Sequence, residues 1–401
     1  MEDLVMYIID DHQSEFLRMI WPMLVTRGVD LQKVSELDNS VRTKNSGIFI
    51  TLVDDNFDCM TDQNFINFIK QNKFKKAVLL KPACDTLKIS NYFNSAVTML
   101  EIPSELGYES PLNIFYIHFF LEIILKDQAN LPCASEQSMK LVNLVRKISP
   151  TDATVLINGP TGSGKEVLSS LIHAFSNRKD NPFIALNCAA IPDQMLESIL
   201  FGHEKGAFTG AHQANQGLVR AANTGTILLD EISEMPLNLQ SKLLRVIQEK
   251  QVLPIGASSE VEVDVRIIAT TNRNMFDEVK SGNFREDLFY RLNVFPLNNL
   301  SLAERIEDLI PIVAHMLFKA YSETGEIISI SEDALLALQQ HGWPGNVREL
   351  DNIVQRAKIL SVGNKITMAD LIFDNHEVGE QPNTAEILAA KFRSAATDEV
   401  V

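Results

Sequence analysis

Residues 154–175 read TVLINGPTGSGKEVLSSLIHAF. The apolar, β-branched run at 154–157 has the pattern of a buried strand, and 166–175 continues with helical periodicity. Between them, GPTGSGKE (159–166) fits the G-x-x-x-x-G-K phosphate loop in the context that pattern requires, after a strand and before a helix. Gly159, Gly162 and Gly164 let backbone N–H groups converge on phosphate oxygens, and the helix start adds a favourable potential for anions. Pro160, Thr161 and Ser163 complete the loop, and Lys165 is placed to reach the β- and γ-phosphates. Glu166 stands where a Mg2+-holding hydroxyl ordinarily follows the lysine, a departure from the general pattern.

Downstream, TILLDE (226–231) is an apolar run ending in two carboxylates. Beside a phosphate loop the pair suits two tasks: Asp230 toward Mg2+ and Glu231 toward the attacking water. Taken alone, such a pair is an ordinary solvated strand end. Asn187 ends a neighbouring strand and is placed to hydrogen-bond Glu231, tuning it as a base. Between these elements lies GAFTGA: Gly206, Ala207, Phe208, Thr209, Gly210 and Ala211. The hexapeptide offers little to a core, and its glycines give the backbone wide φ/ψ freedom. It reads either as a Gly-rich connection or as a mobile loop, tipped by Phe208, that converts hydrolysis into motion.

The 401 residues are 45% hydrophobic and 22% charged, the balance of a globular protein of two or three domains. A formal charge of −16 argues against a broad electrostatic grip on nucleic acid. Cys59, Cys84, Cys133 and Cys188 show no CxxC spacing, and the eight histidines form no zinc pattern. The opening MEDLVMYIIDD carries acids where a secretory signal has bases, and the apolar stretch at 113–125 is too short to span a bilayer. A cytoplasmic protein without membrane contact is expected.

An α/β first domain is expected over 1–128, with strands at 4–9, 47–53, 77–80 and 97–102 alternating with helices. Ser110 and Pro111 mark a helix start. Leu112, Phe115, Phe119 and Ile123 then give that helix a face for the sheet, for dimerisation or for signalling. The polar segment 129–137 reads as a linker. An α/β core follows over 138–302, with strands at 154–157, 183–186, 226–229 and 263–269. A helical subdomain spans 303–373, and a polar tail 374–401.

The run NCAAIPDQMLESILFGHEKGAFTGA, the strand ends ILLDE and IIATTN, and the segments FREDLFYRLNVF and WPGNVREL resemble the AAA+ ATPase domain of sigma-54-dependent transcriptional activators. The resemblance covers 138–373, and in that family a Glu commonly follows the phosphate-loop lysine. It implies ATP and Mg2+ as ligands, with Thr271 and Asn272 sensing the γ-phosphate. Arg285 and Arg291 would enter a neighbouring subunit's site as arginine fingers, which implies a hexameric ring. Arg348 would touch the nucleotide from the helical lid. Residues 206–211 would contact the sigma-54 RNA polymerase holoenzyme and promoter DNA, opening the closed complex.

The first domain resembles a receiver of flavodoxin-like fold, but an eroded one. Asp10 and Asp11 sit at the receiver's Mg2+ position, and Asp54 or Asp55 near the phosphoacceptor slot. Lys81-Pro82 comes too early, however, and Ile102-Pro103 stands where Lys-Pro is expected. This favours a structural domain, or one binding a regulatory partner, over phosphotransfer, as in some flagellar-gene activators. The family usually carries a helix-turn-helix after the ATPase domain; here 387–392 offers one short helical stretch. A second reading is therefore a regulatory binding protein that joins mixed rings with a complete activator.

Overall fold

The computed structural model describes residues 7–9, 15–27, 29, 31–33, 47–54, 57–71, 74–82, 84–103, 110–126 and 128–373. The readings of Asp10, Asp11, Asp55 and the tail 374–401 fall outside these residues. The N-terminal unit holds strands β1 (Tyr7–Ile9), β2 (Leu31–Lys33), β3 (Ile48–Leu52), β4 (Lys76–Lys81), β5 (Lys88–Tyr92) and β6 (Val97–Glu101). Helices α1 (Glu15–Thr26), α2 (Gln63–Gln71) and α3 (Pro111–Ile124) cover the sheet. Strand order is β2-β1-β3-β4-β6-β5, parallel except for the β5–β6 edge pair.

The pleat sorts the β4 side chains between two cores. Ala77 and Leu79 join Phe49, Met99 and the α2 phenylalanines on one face. Val78 and Leu80 join Ile20, Leu24 and α3 on the other. The four expected strands are present, but the edges β2 and β5 were not expected. Strict β/α alternation would place a helix between β4 and β6. The chain instead makes β5, whose sequence KISNY alternates too weakly to announce itself. Lys81 ends β4, and Ile102 follows β6, as read from the sequence.

Ser110 caps α3, accepting from the Asn113 N–H at 3.2 Å, and Pro111 opens the helix. All ten residues from Phe115 to Ile124 are buried. A helix apolar on every side needs cover on two faces. The sheet supplies one, and helix α11 (Leu309–Thr324) of the C-terminal lid supplies the other, with Phe119 and Phe318 edge-to-face at 5.7 Å. The N-terminal unit and the lid thus share one continuous apolar cluster.

The central unit begins with helix α4 (Glu136–Ile148). Strand β7 (Val155–Asn158), helix α5 (Lys165–Ala174), strand β8 (Phe183–Asn187) and helices α6 (Asp193–Phe201) and α7 (Leu218–Ala221) follow. Strand β9 (Thr226–Asp230) and helix α8 (Leu237–Glu249) precede a small β10 (Gln251–Val252) and β11 (Val261–Glu262) ribbon. Strand β12 (Arg266–Thr271), helices α9 (Met275–Lys280) and α10 (Glu286–Leu292), and strand β13 (Phe295–Asn298) complete the unit. The five-stranded sheet β13-β7-β12-β9-β8 is parallel throughout. β13 was not expected; Pro296 suits the edge place it occupies.

The lid continues from α11 with β14 (Ser329–Ile330), α12 (Glu332–Gln340), α13 (Asn346–Leu360) and β15 (Lys365–Ile366). Trp343, 1% exposed, plugs the lid core and donates Nε1–H to the Leu338 carbonyl at 3.0 Å. The expected linker is pinned to this lid. Ala134 and Ser135 each donate a backbone N–H to Asp308 Oδ1 at 2.7 Å, and the Ser138 hydroxyl donates to its other oxygen. Among the described residues no helix is long and apolar enough to cross a membrane.

Candidate active site

The carboxyl ends of parallel strands form the ligand-binding edge of a doubly covered sheet. Here that edge gathers Asn158, Asn187, Asp230, Thr271 and Asn298, each the last residue of its strand. The phosphate loop leaves β7 at this edge and enters α5 through Gly164, whose φ of 97° an L side chain rarely adopts. A side chain at Gly164 would meet nothing within 4 Å, so the cradle is open toward a ligand.

Two neighbours hold the loop from behind. Asn299 donates Nδ2–H to the Ser163 carbonyl at 2.9 Å, and Arg305 donates Nη2–H to the same oxygen at 2.6 Å. From the lid, Asn346 donates Nδ2–H to the Thr161 carbonyl at 3.1 Å and Arg348 its backbone N–H to the Gly162 carbonyl at 3.3 Å. A Cβ on Gly162 would lie 2.5 Å from the Gly345 carbonyl oxygen, so only glycine permits this approach. Lys165 donates Nζ–H to the carbonyls of Gly159 (2.8 Å) and Pro160 (3.1 Å). Burial lowers its ammonium pKa, against the opposing pull of Asp230 and Glu231.

Asp230 is held on both oxygens: Asn187 donates Nδ2–H to Oδ2 at 2.9 Å, and the Thr270 hydroxyl donates to Oδ1. Asn187 therefore bonds Asp230 and not Glu231, contrary to expectation. The parallel β8–β9 register sets Asn187 directly beside Asp230. Glu231 turns out of the strand with φ of 52°, a conformation that costs a non-glycine residue about 1–3 kcal/mol. Its carboxylate has no hydrogen-bond partner among the described residues. Asn272 reaches the phosphate loop, donating Nδ2–H to the Thr161 hydroxyl at 3.0 Å. Thr271 does not: it is fully buried, its hydroxyl directed to Ser233 at 3.2 Å. Glu166 lies in the first turn of α5, with no metal-binding cluster of acids around it among the described residues.

The structure does not bring Arg285 and Arg291 to this loop. Arg285 stands at the start of α10 and pairs with Asp287 at 2.7 Å, and Arg291 sits exposed in the last turn. Residues 206–211 form a tight hairpin, with Gly206 N–H to the Ala211 carbonyl at 2.8 Å and Ala211 N–H to the Phe208 carbonyl at 3.0 Å. Gly206 and Gly210 take φ of 81° and 105°. Phe208 is 44% exposed, its ring edge-on to His203 at 4.9 Å, and Thr209 is exposed at the tip. The hairpin leans on the segment between β10 and β11, through Glu204 N–H to the Ile255 carbonyl at 2.9 Å. Asn187 Oδ1 in turn accepts from the N–H groups of Ala189 and Ala190, capping the turn that precedes α6.

A cavity of about 450 Å³ opens between the phosphate loop, residues 130–132 and the lid, lined by Gly164, Val167, Arg305, His315 and Val347 among others. Thr270, Asn299, Arg305, Asp308, His315 and Asn346 were not singled out from the sequence. Arg305 and Asp308 stand in the run AERIED (303–308), whose charges read as an ordinary solvated helix start, so nothing local marks these two as buried.

Known proteins agree with this geometry. Residues 131–298 match the sigma-54 interaction domain model, and 303–387 the AAA+ ATPase lid domain model. FlgR, a transcriptional regulatory protein of Helicobacter pylori, is 41% identical over 306 residues, 76% of this chain and 74% of its own. FleR, a response regulator protein of Pseudomonas aeruginosa, is 53% identical over 236 residues, 58% of this chain and 50% of its own. The chain thus spans about half the length of FleR. Crystal structures of NtrX from Brucella abortus with ATP and with ADP superpose with TM-scores of 0.58 and 0.56 at 26% identity. The ATP complex covers 98% of this chain and 90% of NtrX. A receiver-like α/β unit, an AAA+ ATPase core and a helical lid therefore follow one another here, and the chain belongs to the sigma-54-dependent transcriptional regulators.

Proposed function

We propose that this chain hydrolyses ATP with Mg2+ and uses the cycle to drive residues 206–211 against sigma-54 RNA polymerase, converting the closed promoter complex to the open one. The observation that carries this reading is the route from Asp230 through Asn187 and α6 to an exposed, aromatic-tipped hairpin. The side chain that holds Asp230 also caps the turn before α6, the helix that leads to that hairpin. A change at the phosphates thus has a mechanical path to Phe208 and Thr209.

The residues present fit a magnesium nucleotide. Gly159, Pro160, Thr161, Gly162, Ser163 and Gly164 form the open cradle, and Lys165 exchanges its two carbonyl contacts for phosphate oxygens. Each Asp230 oxygen retains a lone pair beyond its one hydrogen bond, so Asp230 can hold Mg2+ directly or through water. Bound there, Mg2+ would neutralise charge on the transferred phosphoryl group. Glu231, its carboxylate unpartnered, accepts the proton of the attacking water. Asn272 reports the γ-phosphate from the loop side, and Arg348 closes the site from the lid. Arg285 and Arg291, remote from the chain's own loop, act on a neighbour's site in a hexameric ring in the cytoplasm. The boundaries 1–128, 138–302 and 303–373 then mark a regulatory unit, a motor core and a lid.

Purified chain should hydrolyse ATP and open a sigma-54 promoter in a reconstituted reaction, with both lost in Lys165→Ala. Promoter opening by Lys165→Ala at the wild-type rate would remove nucleotide use from the account.

A further inference from the structure

The cavity beside the phosphate loop has one wall, helix α11, that packs against the N-terminal unit. His315, on lid helix α11, lines that cavity. Its Nδ1 lies 2.8 Å from Glu122 Oε2 on α3. Glu122 is a carboxylate only 2% exposed, and its other oxygen accepts from Arg27 Nη1 at 2.7 Å. Arg27, itself 1% exposed, lies just beyond the end of α1 and also meets His118 Nδ1 at 3.2 Å. His315 differs from all of these in being 40% exposed. With Nδ1 engaged by Glu122, the ring's remaining polar atom is Nε2, which has no protein partner among the described residues.

We propose that His315 is a positioning residue for the base end of the bound nucleotide, and that Glu122 sets it, so that nucleotide affinity depends on α3 being docked on α11. The carboxylate fixes the imidazole's orientation and leaves Nε2 for the ligand, the arrangement by which a buried carboxylate orients a histidine elsewhere. Gly164 and the loop that Arg305 anchors line the same cavity, and phosphates would occupy that part of it. A base therefore falls toward α11. Shape complementarity holds the relay together: α3 is buried along ten successive residues, and Phe119 packs edge-on to Phe318 one turn from His315. In this arrangement the eroded receiver acts as a buttress of the nucleotide site. By linkage, a nucleotide held through His315 tightens α3 docking by the same factor that docking tightens the nucleotide.

The inference rests on the nucleotide reading above, and the test separates the two. The full chain is titrated with mant-ADP, and inorganic tripolyphosphate is measured as a competitor. Wild type should bind both. Glu122→Gln and His315→Ala should each weaken mant-ADP on the order of fivefold, the lower end of ordinary coupling between sites. Neither should change the tripolyphosphate constant, which a general loss of fold would move in parallel. The double variant should bind like the singles, because both remove one interaction. His315→Ala keeps the Arg27–Glu122 pair, so it serves as the informative variant if Glu122→Gln does not fold. Wild-type mant-ADP affinity in His315→Ala, or equal losses for both ligands, would overturn the relay. A wild-type chain that binds neither ligand would remove the nucleotide reading and this inference with it.

Discussion

Asn187 holds Asp230 through Nδ2 at 2.9 Å while its Oδ1 caps the turn leading to α6. One amide thus serves both Asp230 and the turn before α6. Asn187→Ala removes both roles. Losing the cap costs about 1 kcal/mol. The larger effect is expected in coupling: ATP turnover should persist in measurable amount while promoter opening falls further. A parallel fall in hydrolysis and opening would show that Asn187 serves only the chemistry.

Glu231→Gln preserves shape and removes the proposed base. Hydrolysis should fall by about 10²–10⁴-fold, the usual worth of a positioned general base, with nucleotide affinity retained. Steady-state phosphate release and equilibrium nucleotide binding check the two halves separately.

Gly162→Ala tests the lid's contact with the phosphate loop. The new methyl group would lie 2.5 Å from the Gly345 carbonyl, on a backbone with φ of 75°. Strain of about 1–3 kcal/mol should separate lid and loop and weaken ATP binding roughly tenfold or more. Unchanged affinity in an equilibrium titration would show that the loop does not need the lid.

Glu122 supplies a pH dependence. Burial raises its pKa, but the His315 hydrogen bond and the Arg27 charge outweigh burial and hold it below the ordinary glutamate value. Because the folded-state value is depressed, the stability it contributes is present above the unfolded pKa of about 4.3 and is lost as pH falls through the folded value. Burial, with the Arg27 charge beside it, lowers the His118 pKa well below the ordinary imidazole value. Denaturant midpoints measured from pH 6 down to pH 3 should fall less steeply for Glu122→Gln than for wild type.

The phosphate loop, the acidic strand end and the hairpin were legible in the sequence because each is local: glycines at fixed spacing, a short apolar run, a six-residue insert. What stayed hidden depends on pairing across long separations. The sequence suggests Glu231 as the partner of Asn187, whereas the β8–β9 register sets Asn187 beside Asp230. Thr270 and Thr271 are neighbours in one strand, and alternation sends one to Asp230 and the other to Ser233. Helix α3 announced an apolar helix, but its sequence left the second covering surface open. Its partner α11 lies nearly two hundred residues away, as the Glu122–His315 separation of 193 shows. The edge strands β5 and β13 were missed because KISNY and FPLN carry polar or proline residues that only an edge tolerates.

Trp343→Ala would leave a large void in the lid core and cost about 3–5 kcal/mol, with thermal unfolding as the readout.

The sharpest test of force transmission compares Thr209→Ala with wild type in one reaction containing ATP, sigma-54 polymerase and promoter DNA, scoring phosphate release and open complexes together. Thr209 sits exposed at the hairpin tip, outside the phosphate loop, so hydrolysis within about twofold of wild type and loss of open complexes is the predicted pair. Open complexes at the wild-type level would contradict the assignment of residues 206–211 as the part that moves the polymerase.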